Sequence, residues 1–143
     1  LALGLALALR DAASEARVVC LLGADELASG PVYETLTLAA EAALPGLILI
    51  VESDGADADA TRALSAVGRC EAVRADGHDV EALNEAWSEL TAEDRGKGMR
   101  VLLARTVRGR GLPHGSDELM DDEGPLDRQA ADVLISGIRR ELR

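Results

Sequence analysis

VVCLLGADELASGPVYETLTLAAEAALPGLILIVESDG, residues 18–55, holds two aliphatic runs with a helical stretch between them. The first run, Arg17–Leu22 (RVVCLL), is short and β-branched and stops at Gly23, the pattern of a buried strand. The second, Leu47–Val51 (LILIV), has the same character. Between them, Pro31 stands at a first-turn position where its missing N–H is not needed. Val32, Leu36, Ala40 and Ala43 then fall on one helical face, and Pro45-Gly46 ends the helix. Strand, helix and strand in this order predict a βαβ crossover and therefore parallel strands covered on both faces.

The same alternation continues outward. Leu1–Ala13 is an Ala/Leu-rich helix. Thr61–Val67 is a short helix, and Glu71–Ala75 a weaker strand. Asp79 caps a helix with apolar positions Val80, Leu83, Trp87 and Leu90. After the charged connection Ala92–Gly98 comes a strand over Val101–Val107. It leaves into the glycine-rich Arg108–Pro113, and a last helix runs from about Pro125 to Leu142 with Ala131, Leu134, Ile138 and Leu142 on one face. The expected fold class is α/β, a parallel sheet sandwiched by helices, in one domain over residues 1–143. Ligands of such sheets bind beyond the carboxyl ends of the strands. The loops Gly23–Gly30, Ser53–Ala60 and Arg108–Pro113 each leave such an end and together predict one site.

Composition narrows the functional classes. The chain has 15 Lys+Arg against 26 Asp+Glu, a formal net charge of −11, which opposes nucleic-acid binding. There is no Phe, one Tyr and one Trp, so the core is built from small aliphatics and is expected to lean on a partner surface. Cys20 and Cys70 belong to no CxxC or Cys/His group, the pattern of two reduced thiols in a cytoplasmic protein. The apolar opening Leu1–Leu9 falls short of the roughly 20 residues that span a bilayer and lacks a basic leader. No membrane role is expected.

Four segments, in order, resemble the N-terminal half of transketolases. They are Leu3-Gly4-Leu5-Ala6-Leu7-Ala8-Leu9-Arg10, then Val18–Gly55, then Ala75-Asp76-Gly77-His78-Asp79, then Leu103-Ala104-Arg105-Thr106-Val107-Arg108-Gly109-Arg110-Gly111. The resemblance implies a thiamine-diphosphate-binding fold that holds the cofactor's diphosphate through a divalent metal, Mg²⁺. It implies a second, pyrimidine-binding domain, whose glutamate activates the cofactor, on a partner subunit of a homo- or hetero-oligomer. It implies transfer of two-carbon ketol or acyl units between carbonyl compounds such as sugar phosphates. An upstream family segment with catalytic and phosphate-contacting histidines lies outside this sequence, so the chain alone is not expected to carry the full reaction. No catalytic residue is assigned.

The family's metal motif is Gly-Asp-Gly, a spacer, then Asn. A hard cation takes its oxygens from the Asp carboxylate, the Asn amide, a backbone carbonyl just beyond and the diphosphate. Carried over by position, the motif's first glycine is Gly23, its Asp is Ala24, its second glycine is Asp25 and its Asn is Asp54, followed by Gly55. These five are the expected cofactor-binding positions. Asp54 and the carbonyl of Ala56 are the expected metal ligands. Ala24 offers no side-chain oxygen. Asp25 puts a carboxylate where the family has bare backbone, and on a strand end it would face the other way. Two readings follow: a site rescued by Asp25 with Asp54, or a weakened or abandoned one. The function expected first is an enzyme component, with Asp54, the Ala56 carbonyl and the Gly23 turn holding metal and diphosphate; the alternative, favoured by Ala24 and Ser29, is a cofactor-poor subunit that stabilises or regulates a catalytic partner.

Other positions depart in the same direction. Ser29 stands where the family often has Glu, although Glu34 keeps a second acidic position. The loop beyond Asp54 is short, with Ala56-Asp57-Ala58-Asp59 in place of a Leu-Gln wall, and Asp122-Glu123-Gly124 replaces Trp-His-Gly. Gly77, His78 and Asp79 suit a structural turn and cap; His78 has no ligating neighbour in sequence. Arg105, Arg108 and Arg110 fit either a phosphate loop or solvated arginines.

Overall fold

Four strands form in the places where aliphatic residues concentrate: β1 (Val18–Gly23), β2 (Leu47–Ser53), β3 (Cys70–Asp76) and β4 (Met99–Arg105). They make one sheet in the order β1-β2-β4-β3, and every neighbouring pair is parallel. The computed structural model describes residues 1–55, 57–92, 98–107, 110 and 128–141. The chain divides into two compact units, Leu1–Thr106 and Val107–Arg143.

In the first unit the helices are α1 (Ala2–Asp11), α2 (Gly30–Ala42), α3 (Asp57–Val67) and α4 (Val80–Thr91). Strand side chains alternate between faces, so β2, β3 and β4 feed two cores, while β1 packs one face and leaves Val19 and Leu21 of the other exposed. One face presents Val18, Leu47, Leu49, Val51, Met99, Val101 and Leu103 to Ala6 of α1, Leu36 and Ala39 of α2, and Ala60 and Leu64 of α3. The opposite face presents Ile50, Val73, Ala75 and Leu102 to Leu83, Ala86 and Leu90 of α4. At roughly 1.5–3 kcal/mol for each large aliphatic fully buried, this two-sided packing is the main favourable term. Val80 lies 75% exposed at the start of α4, so the inward face of that helix runs through Ala86 and not through Val80.

Several boundaries differ from the sequence reading. β2 runs on through Glu52 and Ser53, which pair with Ala104 and Arg105 of β4. Parallel ladder bonding extends the strand past its aliphatic residues. β4 lies two residues earlier than the run 101–107 suggests, and its partner register with β3 begins at Met99. α3 begins at Asp57, which shortens the loop expected to reach Ala60; an Asp59–Arg62 ion pair at 2.6 Å lies on its surface. The stretch Gly23–Gly30 holds a 3-10 helix over Ala24–Ala28. Pro31 sits in the first turn of α2 as expected.

The second unit contains α5 (Arg128–Glu141), with Arg139 and Arg140 in its last turn, where cations favour a helix terminus. Its start lies three residues after Pro125, which falls outside the described residues, as do Leu142, residues 93–97 of the charged connection and most of the Arg108–Pro113 loop. No helix among the described residues is long and apolar enough to cross a membrane.

Candidate functional site

The carboxyl ends of the four strands lie side by side on one edge of the sheet; most of the Arg108–Pro113 loop expected at this edge lies outside the described residues. Gly23, the last residue of β1, is paired with Glu52 of β2. Glu52 and Ser53 are paired with Ala104 and Arg105 at the end of β4. Asp76, the end of β3, is also paired with Arg105. The turn after Gly23 and the turn holding Asp54 and Gly55 are therefore neighbours on one edge, which brings the expected positions Gly23, Ala24, Asp25, Asp54 and Gly55 together. Gly55 adopts φ +73, a conformation open to glycine at little cost. Ala56 lies outside the described residues.

Thr106 ties this edge together. Its N–H donates to the Ser53 carbonyl at 2.9 Å, and its Oγ1 donates to Glu52 Oε1 at 3.1 Å. The Gly77 N–H donates to the Arg105 carbonyl at 2.7 Å. A Cβ on Gly77 would come within 2.9 Å of that carbonyl oxygen and 2.7 Å of Thr106 Cγ2. Gly77 is thus a close-approach residue, not a positive-φ turn residue. Asp79 caps α4 by accepting from the Glu81 and Ala82 N–H groups at 2.9 and 3.1 Å, and Asp76 Oδ1 accepts the His78 N–H at 2.9 Å. The Asp-Gly-His-Asp segment has the structural role expected of it, and the His78 side chain is exposed.

The Gly23 turn is closed by Glu26. Glu26 Oε2 accepts the Gly23 N–H at 2.7 Å, half of a capping box. Asp25 does not sit on a strand end, so strand alternation does not govern its direction. The 3-10 geometry turns its carboxylate back over Gly23, and a methyl there would lie 2.5 Å from Asp25 Oδ1 and 3.7 Å from Glu26 Oε2. Ala24 is half-buried and packs against the main core, and Leu27, 2% exposed, anchors the loop there. Glu26 escaped the sequence reading, although a Glu three residues after a cap position is the signal that marks it.

These donors do not fit the family's Mg²⁺–diphosphate group. Ala24, the position expected for the Asp ligand, presents an inward-packed methyl. The position of the second glycine carries a carboxylate, and the adjacent Glu26 carboxylate is engaged with backbone. Among the described residues no group of three His, Cys, Asp or Glu side chains is arranged to hold a metal. Asp54 is exposed beyond β2. Away from this edge, burial pushes the Cys70 thiol up to about 11, and the Glu71 carboxylate adds to the shift. Cys20 and Cys70 are both free and partly buried.

The architecture is that of a parallel α/β domain with the expected cofactor positions gathered at the carboxyl edge of its sheet. No family model matches the chain. Transketolase-like protein 2 of Bos taurus is 32% identical to it over 137 residues, 89% of this chain and 22% of that protein. Transketolase of Pongo abelii is 30% identical over 138 residues, again 89% of this chain and 21% of that protein. The crystal structure of transketolase from Campylobacter jejuni superposes with a TM-score of 0.76 at 22% identity, covering 96% of this chain and 24% of that one. The chain belongs to the transketolase family, as an N-terminal domain, and spans 22% of the length of the first relative it matches.

Proposed function

We propose that this chain is the transketolase-fold part of a cofactor-poor subunit that stabilises or regulates a catalytic partner. One observation carries the reading: Ala24, at the position expected for the acidic metal ligand, packs its methyl inward against the core beside a turn closed by Glu26 and overlaid by the Asp25 carboxylate. The partner is a chain bearing a pyrimidine-binding domain, in a homo- or hetero-oligomer. Fold alone does not carry activity, because activity resides in the site.

A second reading is favoured by the register of β1 and β2. Gly23 is paired with Glu52, so Asp54 emerges two residues beyond that pair, close to the turn. On this reading the chain is a component of a thiamine-diphosphate- and Mg²⁺-dependent transferase of two-carbon ketol or acyl units, acting on sugar phosphates or other carbonyl compounds. Calorimetric titration of thiamine diphosphate with Mg²⁺ separates the two, using the full-length protein alone and with its pyrimidine-domain partner. Absence of saturable binding in both cases upholds the cofactor-poor reading. Binding that a chelator abolishes overturns it.

A further inference from the structure

We infer that Asp25 is a second, independent block to a metal–diphosphate pair, so that restoring the missing ligand at Ala24 does not by itself reopen the turn. The inference rests on the cofactor-poor reading and extends it from an absent donor to an obstructing one. Backbone N–H groups at a strand-to-helix turn attract phosphate only when nothing else negative occupies the space. Here the Asp25 carboxylate folds over Gly23, with Oδ1 2.5 Å from where a Gly23 Cβ would stand. Glu26 takes the Gly23 N–H at 2.7 Å. An Asp introduced at 24 would be the third consecutive carboxylate in one short 3-10 helix, and it would replace a methyl that packs against the core. Each carboxylate near an incoming diphosphate adds like-charge repulsion, and relief of one unit charge at contact distance is worth about tenfold or more in affinity.

The test is a titration of Mg²⁺ with inorganic pyrophosphate, and separately with thiamine diphosphate, into the full chain and its Ala24→Asp, Asp25→Gly and Ala24→Asp/Asp25→Gly variants. Backbone amide shifts of Gly23 and Gly55 report binding at this edge. The expected result is saturable binding by the double variant, at least about tenfold tighter than by Ala24→Asp. Ala24→Asp/Asp25→Asn removes the charge while keeping a side chain, and it decides the matter if the glycine variant does not fold. Equal affinity of Ala24→Asp and the double variant overturns the inference. So does failure of both folded double variants to bind. Saturable binding by the unaltered chain instead overturns the cofactor-poor reading, and the comparison of Ala24→Asp with the double variant then still tests Asp25.

Discussion

Two glycines on the candidate edge look equally crowded and are expected to respond oppositely to a methyl group. At Gly77 an added Cβ would meet the Arg105 carbonyl oxygen at 2.9 Å and Thr106 Cγ2 at 2.7 Å. That carbonyl is backbone, fixed at the end of β4 by its pairing with β2 and β3. The methyl therefore has to push the β3–α4 turn away and lengthen the 2.7 Å Gly77 N–H bond to Arg105. Overpacking costs about 1–3 kcal/mol and the weakened hydrogen bond about 0.5–1.5, so Gly77→Ala is expected to destabilise by about 2–4 kcal/mol. At Gly23 the close atom is the tip of the Asp25 side chain, 2.5 Å away, which a rotation removes. The backbone there has φ −75 and ψ 151, which alanine adopts without strain. Gly23→Ala is expected to lie within about 1 kcal/mol of the native chain, the entropic gain of replacing glycine offsetting the displaced carboxylate. Urea unfolding followed by circular dichroism measures both. A Gly77→Ala cost below about 0.5 kcal/mol, or a Gly23→Ala cost as large as the Gly77→Ala one, would refute the distinction between backbone and side-chain obstacles.

Other consequences are as direct. Asp79→Ala removes the acceptor of two α4 amides and is expected to lower stability by about 1 kcal/mol by urea unfolding, with Asp79→Asn largely preserving it. Ser53 is fully buried and its Oγ has no partner among the described residues, so Ser53→Ala is expected to be neutral or to stabilise by about 1 kcal/mol; a clear loss of stability would mean that the hydroxyl is bonded after all. Folding raises the Cys70 thiol from 9.0 to about 11, so between these values the unfolded chain releases a proton that the folded chain keeps. Stability from this group is complete below 9.0 and is lost as pH rises toward 11; the thermal midpoint should fall more steeply across that window in the native chain than in Cys70→Ala.

The fold is legible because its signals are local and repeated. The runs VVCLL and LILIV are too short and too β-branched for helices, and the helix between them announces its start with Pro31 and its end with Pro45-Gly46. Each sheet-facing element carries its own pattern, so the reading holds where any one signal is weak, as for Glu71–Ala75. Boundaries are less legible because they depend on partners. Glu52 and Ser53 look like loop residues, and they become strand only because β4 offers them a parallel ladder. The Thr106 clip to Glu52 joins residues 54 apart in sequence, and nothing local marks it. Gly77 stands in the turn expected of it, and its close approach to Arg105 and Thr106 is an added constraint that leaves no mark in the sequence around it.

The edge itself shows why position and chemistry separate in this domain. Position is set by the hydrophobic ladder: β1 and β2 are held in register by Val18–Leu22 and Leu47–Val51, and that register delivers Gly23 and Asp54 to one place whatever their side chains are. Chemistry is set by a few residues beyond the ladder, where no core contact requires an oxygen. At 24 a methyl packs inward, and at 25 and 26 carboxylates are tolerated because the turn supplies Glu26 with the Gly23 N–H. The Glu26 bond to the Gly23 N–H and the buried Leu27 hold the loop. A loop that depended on metal and diphosphate would carry unpaired backbone donors in their absence. This one satisfies the Gly23 donor internally, through Glu26.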